Sequence, residues 1–160
     1  MDTRLAQVNV ARALAPLETA QMAGFVANLV PINALADASP GFVWRLQTEA
    51  GDATALRVLD GEWLVNLSVW ESIEALRAFV YRSAHADVLR RRLEWFERPV
   101  EAYMALWWIQ AGSIPSLADA EERLLTLRAE GPSPRAFTLK EPVDAPERRM
   151  ARATRPARGP

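Results

Sequence analysis

From Arg4 to Arg12 the chain alternates, with Ala6, Val8 and Val10 on one side and Leu5, Gln7, Asn9 and Ala11 on the other, the period of a half-buried strand. From about Thr19 the period lengthens. Met22, Phe25, Val26 and Leu29 recur at three- and four-residue steps and predict a helix. Pro31 has no N–H and disfavours helix at Val30, so a break or kink is expected there before the helix resumes to Ala36. Ser39-Pro-Gly41 ends it. Phe42 to Gln47 reads as a second strand, residues 48–52 as its loop and 53–58 as a short extension. Asp60-Gly61 is a turn before Trp63 to Trp70, the clearest alternating run. Ser72 caps a helix carrying Ile73, Leu76, Phe79 and Val80, and Ser83 caps a further one reaching about Phe96. Ala102 to Gln110 is an aromatic-rich fourth strand. Ser116 caps an amphipathic helix with Leu117, Leu124 and Leu127 that closes at Gly131, and Phe137 to Leu139 adds a short edge strand.

The order β-α-β-β-α-β with an appended C-terminal helix is the ferredoxin-like arrangement, an α+β sheet with helices on one face. The opposite faces of the strands at 4–12 and 63–70 carry Gln7, Asn9, Asn66, Ser68 and Trp70, which predicts a face either exposed or closed against a second subunit. Residues 1–140 make this domain. Residues 141–160 are rich in proline and arginine, with five arginines and no carboxylate in 148–158, and are expected to be a disordered tail.

A chain of 160 residues fits one core, since single domains run to about 100–200 residues. A formal charge of −1 gives no electrostatic reason to expect nucleic acid or an anionic membrane as partner. No apolar run approaches the roughly 18–20 residues that cross a bilayer, so the cytoplasm is the default location. Cysteine is absent, which removes disulfides, thiolate metal sites and a cysteine nucleophile. His85 is the single histidine, which also removes multi-histidine metal sites. Ser68 and Ser83 lack a histidine–carboxylate companion at recognisable spacing, and no Gly-rich phosphate loop is present, so hydrolase and nucleotide chemistries are not favoured.

Leu64-Val-Asn-Leu-Ser-Val-Trp-Glu-Ser72, followed by Ala75-Leu76 and Tyr81-Arg-Ser-Ala-His85, resembles the dimeric α+β-barrel superfamily that contains the antibiotic-biosynthesis monooxygenases. Gln7-Val-Asn9 and Ser39-Pro-Gly-Phe42 resemble it as well, and the likeness spans about residues 4–111. Within the superfamily the chain is most similar to an uncharacterised group of bacterial domains of unknown function that also carries a C-terminal helix. The resemblance implies a homodimer with two sheets packed face to face, each subunit enclosing a cleft between sheet and helices. It also implies one of several activities: cofactor-independent oxygenation of electron-rich aromatics, haem chemistry, isomerisation or plain ligand binding. The haem-degrading branch uses an asparagine on its first strand, matched by Asn9, and a tryptophan on its second helix, where this chain has Phe79 or Val80. Its histidine lies about one helical turn beyond His85, so the general monooxygenase-like members are the nearer match.

His85, inward-facing beside Leu89 and Phe96 at a helix start, is expected as a neutral base or acceptor; the plain alternative is a ring that fills space. Asn9 is the second catalytic candidate, as a donor to a developing anion. Asn66, Trp70, Arg45 and Phe79 are the candidate substrate contacts. An inward Arg45 requires an acidic partner or ligand, whereas Arg90-Arg-Arg92 reads as a carboxylate clamp or a solvated helix face. Trp44, Trp107 and Trp108 are expected mostly in core, the adjacent pair facing opposite ways. The expected function is a monooxygenase-like oxidoreductase acting on a small aromatic or polyketide-like molecule without a cofactor. Haem held by His85, or a homodimer that binds a small ligand without turnover, stands as the alternative.

Overall fold

Residues 2–147 and Met150 are described by the structure, a computed structural model. The alternation near the N-terminus forms β1 (Thr3–Ala11), and that of 63–70 forms β4 (Trp63–Trp70), its antiparallel neighbour from Leu5↔Trp70 to Ala11↔Leu64. β5 (Met104–Gln110) takes the other edge of β1, while β2 (Phe42–Arg45) and the two-residue β3 (Arg57–Val58) pair with β4. The order β2-β4-β1-β5 is the ferredoxin-like sheet expected from the sequence.

A 3₁₀ turn at Ala20–Met22 leads into α1 (Ala23–Asp37), and α2 (Ile73–Arg82), α3 (His85–Arg90) and α4 (Leu117–Glu130) follow. The break expected at Pro31 does not occur, and α1 runs through it. Pro31 and Ala27 are both exposed, so the carbonyl that proline leaves without a donor lies on the solvent side, where water can satisfy it. α3 is shorter than expected. After a 3₁₀ turn at Arg92–Glu94, Trp95 and Phe96 are drawn into the core, and the Trp95 carbonyl accepts from the Leu14 amide (2.9 Å) in place of a helical bond.

Strand alternation gives the sheet two unlike faces. Leu5, Gln7, Asn9, Asn66, Ser68 and Trp70 share one. Trp70 and Leu5 pack there with Ile73, Leu76 and Val80 of α2, and Leu64 with Trp95 and Phe96. The amide-bearing face is therefore the helix-covered one, which corrects the expectation of a bare face or a subunit seam. Its amides border a cavity under the helices, with Asn66 exposed at that cavity. The reverse face carries Ala6, Val8, Val10, Leu67 and Trp107, and it is closed within the chain by Ala120, Leu124 and Leu127 of α4 and by Val58 of β3. Val8 and Leu67 are 1% exposed in the single chain.

α4 begins with a capping box in which the Asp119 amide donates to Ser116 Oγ (3.1 Å) and the Ser116 amide to Asp119 Oδ2 (2.8 Å). The Ser116 hydroxyl and amide hold the Asp119 carboxyl below its ordinary pKa. Ser116→Ala is expected to lower stability by about 1 kcal/mol, measured by urea denaturation. At the other end of the domain, Phe137 forms a single bridge to Leu106 (2.8 and 2.9 Å) where a short strand was expected. The start of the expected tail is held: the Trp108 indole donates to the Val143 carbonyl (2.8 Å) and Thr3 Oγ1 to Glu147 (3.0 Å). Residues 148, 149 and 151–160 of that tail lie outside the described residues.

Candidate functional site

Between the amide-bearing face and helices α1 to α3 lies a cavity of about 210 Å³. His85, Asn9, Asn66, Trp70, Arg45 and Phe79, the six residues singled out from sequence, all border it. α1 supplies the roof with Phe25, Asn28, Leu29, Ile32 and Asn33.

One wall is an aromatic stack. Phe42 meets Trp70 edge-on (5.4 Å, 80°), Trp70 stacks on Phe79 (5.2 Å, 27°), and Phe79 lies against the His85 ring (4.8 Å, 41°). The break between α2 and α3 sets the last member. Ser83 Oγ donates to the Phe79 carbonyl and accepts from the His85 amide (3.1 Å), so one hydroxyl ends one helix and starts the next with His85 turned onto the stack. His85 Nδ1 lies 3.4 Å from the Val80 carbonyl, which can only accept. Nδ1 therefore carries the proton, and Nε2 keeps its lone pair. Burial pushes the imidazole below its ordinary pKa of 6.5, and the Val80 bond opposes that only in part. The sequence ascribed a lowered imidazole pKa to a helix dipole; the lowering here comes from burial, α3 being only six residues long.

The floor is built of amides. Asn9 and Asn66 stand directly opposite in the β1–β4 ladder. Asn9 Nδ2 donates to Gln7 Oε1, which takes one of the two N–H groups of its amide and leaves the second for a group in the cavity. Asn66 is exposed although it sits in a central strand, so the cavity opens to solvent beside it. Ser68 is spent: its Oγ accepts the Trp70 indole N–H at 2.9 Å. Trp44 and Trp107 pack on the reverse face, and Trp108 faces the other way from Trp107 toward Phe137.

A bulge in β2 decides Arg45. Phe42 pairs with Trp70 and Trp44 with Val69, so the register slips by one and Arg45, opposite Ser68, comes to the cavity side with Phe42. The acidic partner that an inward arginine requires is Asp37 at the end of α1, gripped at 2.7 and 3.2 Å, and a third N–H goes to the Gly51 carbonyl (2.7 Å). Three of its five N–H donors are thus taken by the protein itself.

Asn28 and Asn33 were not singled out from sequence. The signal was present: they are the polar positions of a helix that is otherwise apolar and uncharged until Asp37. Asn28 Nδ2 donates to the Gly24 carbonyl (2.7 Å), and among the described residues no donor engages its oxygen. Trp95, Arg92 and Tyr103 also border the cavity and had no periodic signal, because they lie in a turn and at a strand entrance.

The arrangement can take up a proton at one neutral nitrogen, stack a planar ring and offer amide donors to an oxygen. Among the described residues no group of three His, Cys, Asp or Glu side chains could hold a metal ion. Among the described residues no helix is long and apolar enough to cross a membrane.

A family model described as a domain of unknown function, DUF3291, matches residues 4–153. No curated protein is significantly similar in sequence. Among solved structures, Rv0793 from Mycobacterium tuberculosis is 18% identical with a TM-score of 0.46, over 71% of this chain and 99% of that one. The NE2512 protein of unknown function from Nitrosomonas europaea is 16% identical with a TM-score of 0.43, over 72% and 97%. A variant of SnoaB, a cofactor-independent oxygenase from Streptomyces nogalater, is 16% identical with a TM-score of 0.44, over 71% and 97%.

Proposed function

The chain belongs to the DUF3291 family, and from the cavity this member builds we propose that it is a monooxygenase-like oxidoreductase acting without a cofactor on a small electron-rich aromatic or polyketide-like molecule. The observation that carries this reading is a neutral imidazole, His85, closing an aromatic stack over a floor of amides in one small cavity. Substrate and oxygen suffice as reactants. His85 Nε2 removes a proton from an activated ring CH₂, and the carbanion gives one electron to O₂. The resulting carbon radical and superoxide combine with formation of the C–O bond, and the proton on His85 returns to the peroxide. Loss of water with the remaining C–H proton breaks the O–O bond and leaves a ketone, so that R₂CH₂ and O₂ become R₂C=O and H₂O. Asn9 and Asn66 donate to the oxygen that bears charge in the carbanion.

Oxygen consumption with a panel of hydroxylated polycyclic ketones and naphthols tests the reading. Protein-dependent uptake of one O₂ per substrate is expected, and Asn9→Ala should reduce kcat about 10²-fold through loss of one donor to the anion. Compounds that bind without any uptake would leave a ligand-holding protein with no turnover.

A further inference from the structure

We propose that Arg92, stacked on Tyr103, anchors an acidic group of the ligand, so that the cavity takes an aromatic acid and not a neutral aromatic. The proposal rests on the reading of the cavity as an aromatic-binding site and narrows it to a substrate class.

The three consecutive arginines at 90–92 have unlike surroundings. Arg90 is paired with Asp87, and Arg91 makes a bidentate pair with Glu94 (3.0 and 2.9 Å), both on the exposed side. Arg92, at the start of the 3₁₀ turn, borders the cavity, and among the described residues no carboxylate lies within ion-pair distance of it. Its guanidinium carbon sits 4.1 Å above the centre of the Tyr103 ring. A guanidinium lying on an aromatic face keeps its N–H edge in the plane, where a carboxylate can meet it bidentately. The ring fixes the plane and lowers the side-chain entropy to be lost on binding.

The other charges around the cavity do not offer the same service. Arg45 is neutralised by Asp37. The Asp52 carboxylate also borders the cavity, and its Oδ1 accepts from the amide and hydroxyl of Thr54 (2.8 and 2.6 Å), which holds it in its own loop. Arg92 is thus the bordering cation whose N–H edge the described residues leave unengaged, within a lining that is otherwise amide and aromatic.

Binding is read by quenching of tryptophan fluorescence, since Trp70 and Trp95 border the cavity. The probes are a hydroxynaphthoate and the carboxamide of the same shape. Wild type is expected to bind the acid at least about tenfold more tightly, the size of a charge-assisted hydrogen bond. Arg92→Gln should abolish that preference while the amide still binds with saturable quenching, which also reports an intact cavity. Equal affinity of wild type for the two probes, or a preference that survives in Arg92→Gln, would overturn the proposal. If neither probe binds wild type, the aromatic-site reading falls and this inference with it, whereas absence of oxygen uptake alone touches only the oxygenase reading. Should Arg92→Gln not fold, Arg92→Lys keeps the charge without the fork: a reduced preference supports the anchor, and an unchanged one overturns it.

Discussion

Replacing His85 by alanine is expected to lower oxygen consumption about 10²–10⁴-fold and to remove the acid limb of its pH profile. The ring is held by Phe79 on one face and by the Val80 carbonyl at Nδ1, so Nε2 is the one nitrogen free to take a proton. Burial lowers its pKa from 6.5, and the active, neutral form therefore prevails from below that value upward. In wild type kcat/KM should be flat above pH 6.5 and fall on the acid side of it, with an inflection below 6.5. Stability follows the same sign. Above 6.5 the ring is neutral in both folded and unfolded chains and its contribution is whole. As pH falls through 6.5 the unfolded chain takes up the proton first, so stability drops until the folded ring is protonated as well. A residue that only filled space would give a variant with reduced stability and an unshifted acid limb in whatever activity remained. That outcome would remove His85 from the chemistry.

The parts of this arrangement that were legible in the sequence are those set by short-range periodicity. Ala6, Val8 and Val10 against Leu5, Gln7 and Asn9 fix which side chains of β1 share a face, and the alternation from Trp63 to Trp70 does the same for β4. Nothing local says which face the helices choose. That choice was settled by α4, whose Leu124 and Leu127 close the wholly apolar side, leaving the amides to the cavity under α1. The β2 bulge was equally hidden. It inserts one residue between Phe42 and Trp44 and so turns Arg45 to the opposite side from the one simple alternation assigns it. Pro31 misled for a related reason, because a proline breaks a helix only where the lost bond cannot be replaced, and solvent replaces it there. Trp95 became visible, and Arg92 separable from Arg90 and Arg91 within the run read as a clamp or a solvated face, only once α3 stopped at Arg90 and the chain turned inward.

The geometry at Gly41 makes the entry to β2 the most sensitive backbone position near the site. Gly41 has φ +79°, and a Cβ placed on it would lie 2.6 Å from the Ala75 methyl, closer than two carbons can approach. Its carbonyl accepts from the Glu71 amide (2.7 Å), tying the start of β2 to the end of β4 just where Phe42 meets Trp70. Gly41→Ala therefore carries two costs. The left-handed backbone costs an L residue about 1–2 kcal/mol, and the overpacking against Ala75 about 1–3 kcal/mol, together about 2–5 kcal/mol. For a domain of ordinary stability, about 5–15 kcal/mol, that is a large share, and urea denaturation should show it as a lower midpoint at unchanged slope. The two costs separate in a double-mutant cycle. Ala75→Gly alone should lose about 1 kcal/mol of helix propensity in α2. Combined with Gly41→Ala it removes the clash but not the backbone cost, so the double variant should be more stable than the sum of the two single losses predicts. Simple additivity would mean that the methyl of Ala75 is not what the glycine avoids. The same cycle bears on the cavity, because α2 carries both Ala75 and Phe79. A side chain at 41 that pushes α2 outward draws Phe79 off Trp70, so quenching of tryptophan fluorescence by the aromatic probe should weaken in Gly41→Ala and return in the double variant.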